Sequence, residues 1–267
     1  MAERTRPRLE TQLRAHLGKN RKGLSILGRI LSSERFLTAY SMANAVAVGR
    51  LGYNDHGYTH VRIAAANALS MLNILKKRKI QPNFVSEKHG SFDDAQVIVM
   101  LGALFHDIGN AVHRTGHERI GTYLALPLLD EVLATEYKGA LLEKVKLGVL
   151  ECVYSSCDEI SCTSLESGVV KVADGTDCEK GRARIPYRIY GKEDIHAISA
   201  LAIRWIEVKE GREKPIRIEV DMSNPAGVFQ VDNVLMKKIS TSGISHLIEV
   251  VPLLNGKPLE KVDITKL

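Results

Sequence analysis

The chain has 267 residues, 45% of them hydrophobic and 25% charged, enough for one large domain or for a domain with a smaller companion. No apolar run approaches the roughly 20 residues that span a bilayer, and the charged start MAERTRPRLETQLRAHLGKNRKG lacks the apolar centre of a signal peptide, so a cytoplasmic protein without a membrane partner is expected. The net charge of +6 favours an anionic ligand such as a phosphate ester. The basic excess of the first 36 residues reads as a solvated helix face, so nucleic acid is not the expected partner.

In chain order, apolar residues at three- and four-residue steps predict helix from about residue 8 to 50, through LSILGRIL and RFLTAYSMANAVAV. The stretch LGYNDHGY then reads as a loop. A stronger helix is predicted from Thr59 to about Lys77, with an apolar stripe of Val61, Ala64, Ala65, Ala68, Leu69, Leu72 and Leu75. Thr59 or Asp55 is the expected cap, and His60 falls in the first turn.

Residues 78–92 form a polar connector with Pro82 and Gly90. The next helix, Asp93 to Ile108, is apolar on nearly all sides, so it is expected at the centre of the fold and to end at Gly109. Helices follow from His117 to about Leu133, tolerating or kinking at Pro127, and over roughly 138–155. SLESGVVKVADGTDCEKGR is predicted as one more helix, with Asp174 and Asp177 at its end. The cysteines at 152, 157, 162 and 178 lack the C-x2-C pairs of a zinc ribbon, and free thiols are expected.

The texture changes after about residue 190. Two β-rich runs flank the turn GREKP, then come an amphipathic helix, VFQVDNVLMKKI, and a strand, HLIEVVPLL. The fold class read from this pattern is mainly α, a helical bundle with a small C-terminal α+β domain of order β-β-α-β. The expected divisions are an N-terminal helical segment at 1–50, a helical domain at 51–190 and the α+β domain at 191–267.

His60, the pair His106-Asp107, and Asp174 each lie at the end of an apolar helix, where an unpaired ionisable group would be costly. Three helix ends converging on a divalent cation would satisfy all four groups. In this order, and in the words THVRIAAANAL, LGALFHDIGN and VVKVADGTDCEKGR, the chain resembles the HD-domain superfamily of metal-dependent phosphohydrolases over about residues 50 to 190. The C-terminal part looks like the extension of one prokaryotic branch of predicted phosphatases, phosphodiesterases and nucleotidases.

The resemblance implies an all-α bundle with a metal in its core and His60, His106, Asp107 and Asp174 as ligands. Such a set suits Mn, Fe, Co, Ni, Zn or Mg. Dinuclear members of the superfamily add histidines between the His-Asp pair and the last Asp. Here His113 and His117 could serve a second metal, or His113 a phosphate. LECVYSSCDEI offers no further histidine, which favours one firmly bound ion. The absence of a Gly-Tyr-Pro motif, and Asn110 in place of a common lysine, argue against the cyclic-dinucleotide phosphodiesterase branch.

The expected reaction is hydrolysis of a phosphate ester of a nucleotide or related small molecule by a metal-activated water. Asp107 would ligate the metal and orient the water, with Asp177 as an outer or proton-transfer group. Arg114 and Arg182 would hold substrate phosphate, and Glu118 is a candidate proton donor. A metal- and nucleotide-binding sensor without turnover, or a di-iron oxygenase, are the alternatives. A homodimer is the base-rate expectation.

Overall fold

The computed structural model describes residues 9–178 and 195–259. It opens with α1 (Leu9–Leu17), α2 (Arg21–Ser32) and α3 (Glu34–Asn44). The side chains of Asn20 and Ser33 accept from the Gly23 and Phe36 amides and so start α2 and α3. A π-helical turn, Ala45–Arg50, ends α3 and leads into the loop of residues 51–57.

Helix α4 (Tyr58–Lys77) buries the whole predicted stripe from Val61 to Leu75. Its cap differs from expectation. Gly57 is the capping position, and Asp55 instead accepts the Gly57 amide at 2.9 Å and the Asn44 side-chain amide at 2.7 Å. The polar connector contains a single helical turn, α5 (Asn83–Ser86).

Helix α6 (Phe92–Phe105) is central, as its all-round hydrophobicity requires. Ser91 and Asp94 cap it reciprocally, and it is buried from Asp94 to Phe105 among α4, α8 and α9. It ends at Phe105, three residues before the predicted end, and a 3-10 turn follows at Ile108–Ala111. Gly109 therefore does not end the helix. A Cβ there would collide with the His117 carbonyl oxygen, so the glycine lets this turn press against the next helix. That helix, α7 (His117–Leu133), runs through Pro127. The bundle continues with α8 (Gly139–Ser155) and α9 (Leu165–Gly175).

In the C-terminal part the Ala-containing run IHAISALA is helical, α10 (Ile195–Ala202). Strand β1 (Ile203–Glu210) begins where the β-favouring run IRWIEV begins. It forms the expected hairpin with β2 (Ile216–Met222) around GREKP. A helical run α11 (Val228–Gln230, Val231–Met236 and Lys237–Thr241, the middle piece π-helical) leads to β3 (Ile248–Leu254) and a short β4 (Lys257–Pro258). The sheet order is β1-β2-β3-β4, with the middle pair parallel and the outer pairs antiparallel. The architecture is mainly α with a small α+β C-terminal part, as the sequence predicts.

The sheet packs on α4, and Arg78 at the end of that helix donates to the Gly211 carbonyl in the hairpin turn. One hydrophobic core runs from Leu13 through α6 to Ile248. Helix α9 lies against α11 along three residues. A Cβ on Gly168 would collide with the Ser242 carbonyl oxygen, and a Cβ on Gly175 would come within 3.2 Å of Lys238 and 3.3 Å of Leu235. Between them the buried Lys171 donates to the Ile160 carbonyl at 2.5 Å and to Thr241 at 2.7 Å. Gly168→Ala is expected to cost about 1–3 kcal/mol by overpacking this seam. Thermal melting followed by circular dichroism checks it, and an unchanged midpoint would mean that the two helices do not pack this closely.

Candidate metal centre

The three helix ends converge. The first turn of α4 supplies His60, the end of α6 supplies His106 and Asp107, and the last turn of α9 supplies Asp174. His60 Nε2 lies 3.2 Å from His106 Nε2, 3.3 Å from Asp107 Oδ2 and 3.1 Å from Asp174 Oδ1. His106 Nε2 is 3.4 Å from each of the same two carboxylate oxygens. Ligand atoms around an ion at about 2.1 Å stand roughly 3.0 Å apart in an octahedron and 3.4 Å in a tetrahedron. The five separations given fall in that interval, and two buried groups that share His60 (His60, His106 and Asp174; His56, His60 and Asp107) could hold a metal ion.

The hydrogen bonds behind the imidazoles set the tautomers. His60 Nδ1 is 2.7 Å from Asp177 Oδ2, and His106 Nδ1 is 2.8 Å from the Ala103 carbonyl oxygen. With both Nδ1–H groups donating backwards, both Nε2 atoms turn their lone pairs toward two carboxylate oxygens. Such a cluster inside an apolar core is repulsive unless a proton or cation sits in it. Burial pulls the His106 imidazole down, yet the carboxylates of Asp107 and Asp174 outweigh it and push it up to about 9. Burial raises both carboxyls, but His106 and His56 hold Asp107, and Lys238 and His106 hold Asp174, well below the usual range.

Asp177 stands just past the end of α9, behind His60, and not among the residues of the cleft wall. Asn110, fully buried, donates to Asp107 Oδ1 at 3.0 Å and fixes that carboxylate. His117, at the start of α7, places Nε2 3.2 Å from Asp107 Oδ1. Arg114 reaches the same place, its Nη1 3.1 Å from His117 Nε2, and Glu118 Oε2 lies 3.2 Å from His117 Nδ1. His113 is not brought in. It is exposed, and its Nδ1 accepts the Thr115 amide, because the chain between 113 and 117 is a turn and the two histidines share no helix face. Arg182 lies outside the described residues.

Two residues that sequence reading missed join the cluster. His56, from the loop before α4, puts Nδ1 2.8 Å from Asp107 Oδ2. Its amide donates to Asn44, and Gly57 has no Cβ where one would collide with Asn44. The only local signal was a histidine four residues before His60, and Gly57 interrupts helical spacing between them. Lys238, on α11, places Nζ 2.7 Å from Asp174 Oδ2 and 2.9 Å from Asp158 Oδ1. Burial would lower this ammonium, but those two carboxylates outweigh it and hold it above its usual range.

A cleft of about 690 Å³ opens onto Asp107, Asp174, His56 and His117. One wall is the segment from Arg114 to Arg119, and the facing wall is one side of α11, with Gln230, Asn233, Val234, Lys237 and Lys238 at helical spacing. Among the described residues the lining has four cations (Arg114, Arg119, Lys237, Lys238) and five carboxylates (Asp107, Glu118, Asp158, Glu159, Asp174). A divalent ion would turn this net negative wall positive. Single divalent ions added to chelator-treated protein are expected to raise its melting temperature, with about 2.7 kcal/mol of stabilisation at 100 times the dissociation constant. His106→Ala should abolish the rise; a rise that survives His106→Ala places binding elsewhere.

No family model matches the chain, and no solved structure matches it. A curated relative, the uncharacterized protein MJ1020 of Methanocaldococcus jannaschii, is 47% identical over 227 residues, which cover 84% of this chain and 86% of that protein. At that identity and coverage, the chain belongs to the same family as the archaeal protein MJ1020.

Proposed function

We propose that this chain is a metal-dependent phosphohydrolase of the HD-domain kind, acting on a phosphate ester of a nucleotide or a related small molecule. The observation that carries the reading is that His60 Nε2 and His106 Nε2, fully buried, each lie 3.1 to 3.4 Å from Asp107 Oδ2 and Asp174 Oδ1, and that those two carboxylates line a cleft that also carries arginine and lysine. A divalent ion in that position supplies polarisation of a phosphoryl oxygen and activation of water. Asp107, anchored through Oδ1 by Asn110, orients the attacking water, and Asp177 keeps His60 in its ligating tautomer.

Arg114 and Lys237, which both line the cleft, would hold the substrate phosphate in this reading. The Arg114 guanidinium also occupies the Oδ1 side of Asp107 beside His117, where a second ion would have to bind. That favours one ion plus an arginine over a di-iron oxygenase. Glu118, against His117, is a proton donor for the leaving group.

The test is phosphate release from nucleotides, cyclic nucleotides and aryl phosphates by chelator-stripped protein given single metals. Activity should return with one or a few metals. Asp107→Ala should lose more than the roughly 100-fold that removal of an outer partner costs. Arg114→Ala should raise KM by roughly 10- to 100-fold, the worth of one hydrogen bond to a charged group. Metal uptake with silence on every ester would remove the hydrolase reading and leave a metal-holding sensor.

A further inference from the structure

We propose that Lys238, carried by the C-terminal part, is a positioning residue of the metal centre that keeps Asp174 a one-oxygen ligand. This rests on the metal-centre reading above. The two oxygens of Asp174 face opposite ways. Oδ1 meets His60 Nε2 at 3.1 Å and His106 Nε2 at 3.4 Å, whereas Oδ2 is held by Lys238 Nζ at 2.7 Å.

The lysine is itself fixed. Its ammonium has three N–H donors, and three acceptors surround it: Asp174 Oδ2, Asp158 Oδ1 at 2.9 Å and the Ser156 carbonyl oxygen at 3.4 Å. Its side chain is 13% exposed, and the stem crosses α9 at Gly175, where a Cβ would stand 3.2 Å from Lys238 Cδ. The neighbouring Lys237 cannot replace it, being 56% exposed with its Nζ 3.5 Å from Asp158 Oδ2. A carboxylate can bind a cation through one oxygen or two. With Oδ2 held by an ammonium, Asp174 would offer a cation one oxygen rather than two. The helix that supplies Lys238 is also a cleft wall, so the C-terminal part both lines the site and sets its ligand geometry.

The experiment is a cobalt(II) titration of the chelator-stripped full chain, reading the visible absorption and the dissociation constant. Lys238→Met removes the ammonium. Lys238→Gln keeps a polar head group and decides the matter where the methionine variant does not fold. Both should bind cobalt with a changed visible band and an affinity altered by roughly 10-fold or more, and Lys238→Arg should restore the wild-type band. Cobalt bound by folded Lys238→Gln with the wild-type band and affinity overturns the role of Lys238 alone. A wild type that takes up no cobalt sinks the metal-centre reading itself, and this proposal with it.

Discussion

Two imidazole nitrogens that each lie 3.1 to 3.4 Å from two carboxylate oxygens, and 3.2 Å from one another, inside an apolar core are an arrangement that a positive charge makes stable. Much of the surrounding structure holds this arrangement in place. Asp177 and the Ala103 carbonyl turn the imidazoles inward, Asn110 pins Asp107, and the packing of α4, α6 and α9 prevents the three helix ends from separating. A core this dense transmits such constraints, because side chains cannot move apart without opening voids.

The C-terminal part answers to the same constraint. Its sheet sits on α4, the helix that carries His60, and its helix α11 packs against α9, the helix that carries Asp174. Glycines at 168 and 175 set how near α9 and α11 can come, and the buried Lys171 ties the seam through the Ile160 carbonyl and Thr241. The charge of the cleft follows from the same assembly. Lysines from α11 and arginines from the α7 side line the cleft together with carboxylates. A divalent cation held there would offset that negative charge and make the cleft more favourable to an anion.

Close contacts also explain residues that local rules misread. Gly109 looked like a helix terminator, but its value lies in what a Cβ would strike on α7. Gly57 breaks the helix between His56 and His60 and leaves room for Asn44 to hold the loop. Both effects depend on segments that fold back on the glycine, His117 on Gly109 and Asn44 on Gly57. Neither can be read from periodicity.

The sequence by itself determined the buried stripe of α4, the centrality of α6 and the hairpin around GREKP, and it singled out His60, His106, Asp107 and Asp174, which the structure gathers in one buried cluster. Those features rest on local periodicity and on ionisable groups placed where apolar helices end, and such signals are complete within ten or fifteen residues. Only the tertiary structure decided that His56 and Lys238 join the cluster, that His113 stays in solvent and that Asp177 stands behind His60. Each of these depends on how separate elements pack. The contact between residues 174 and 238 exists because α11 crosses α9 at Gly175, a proximity that long-range packing creates and local spacing does not encode.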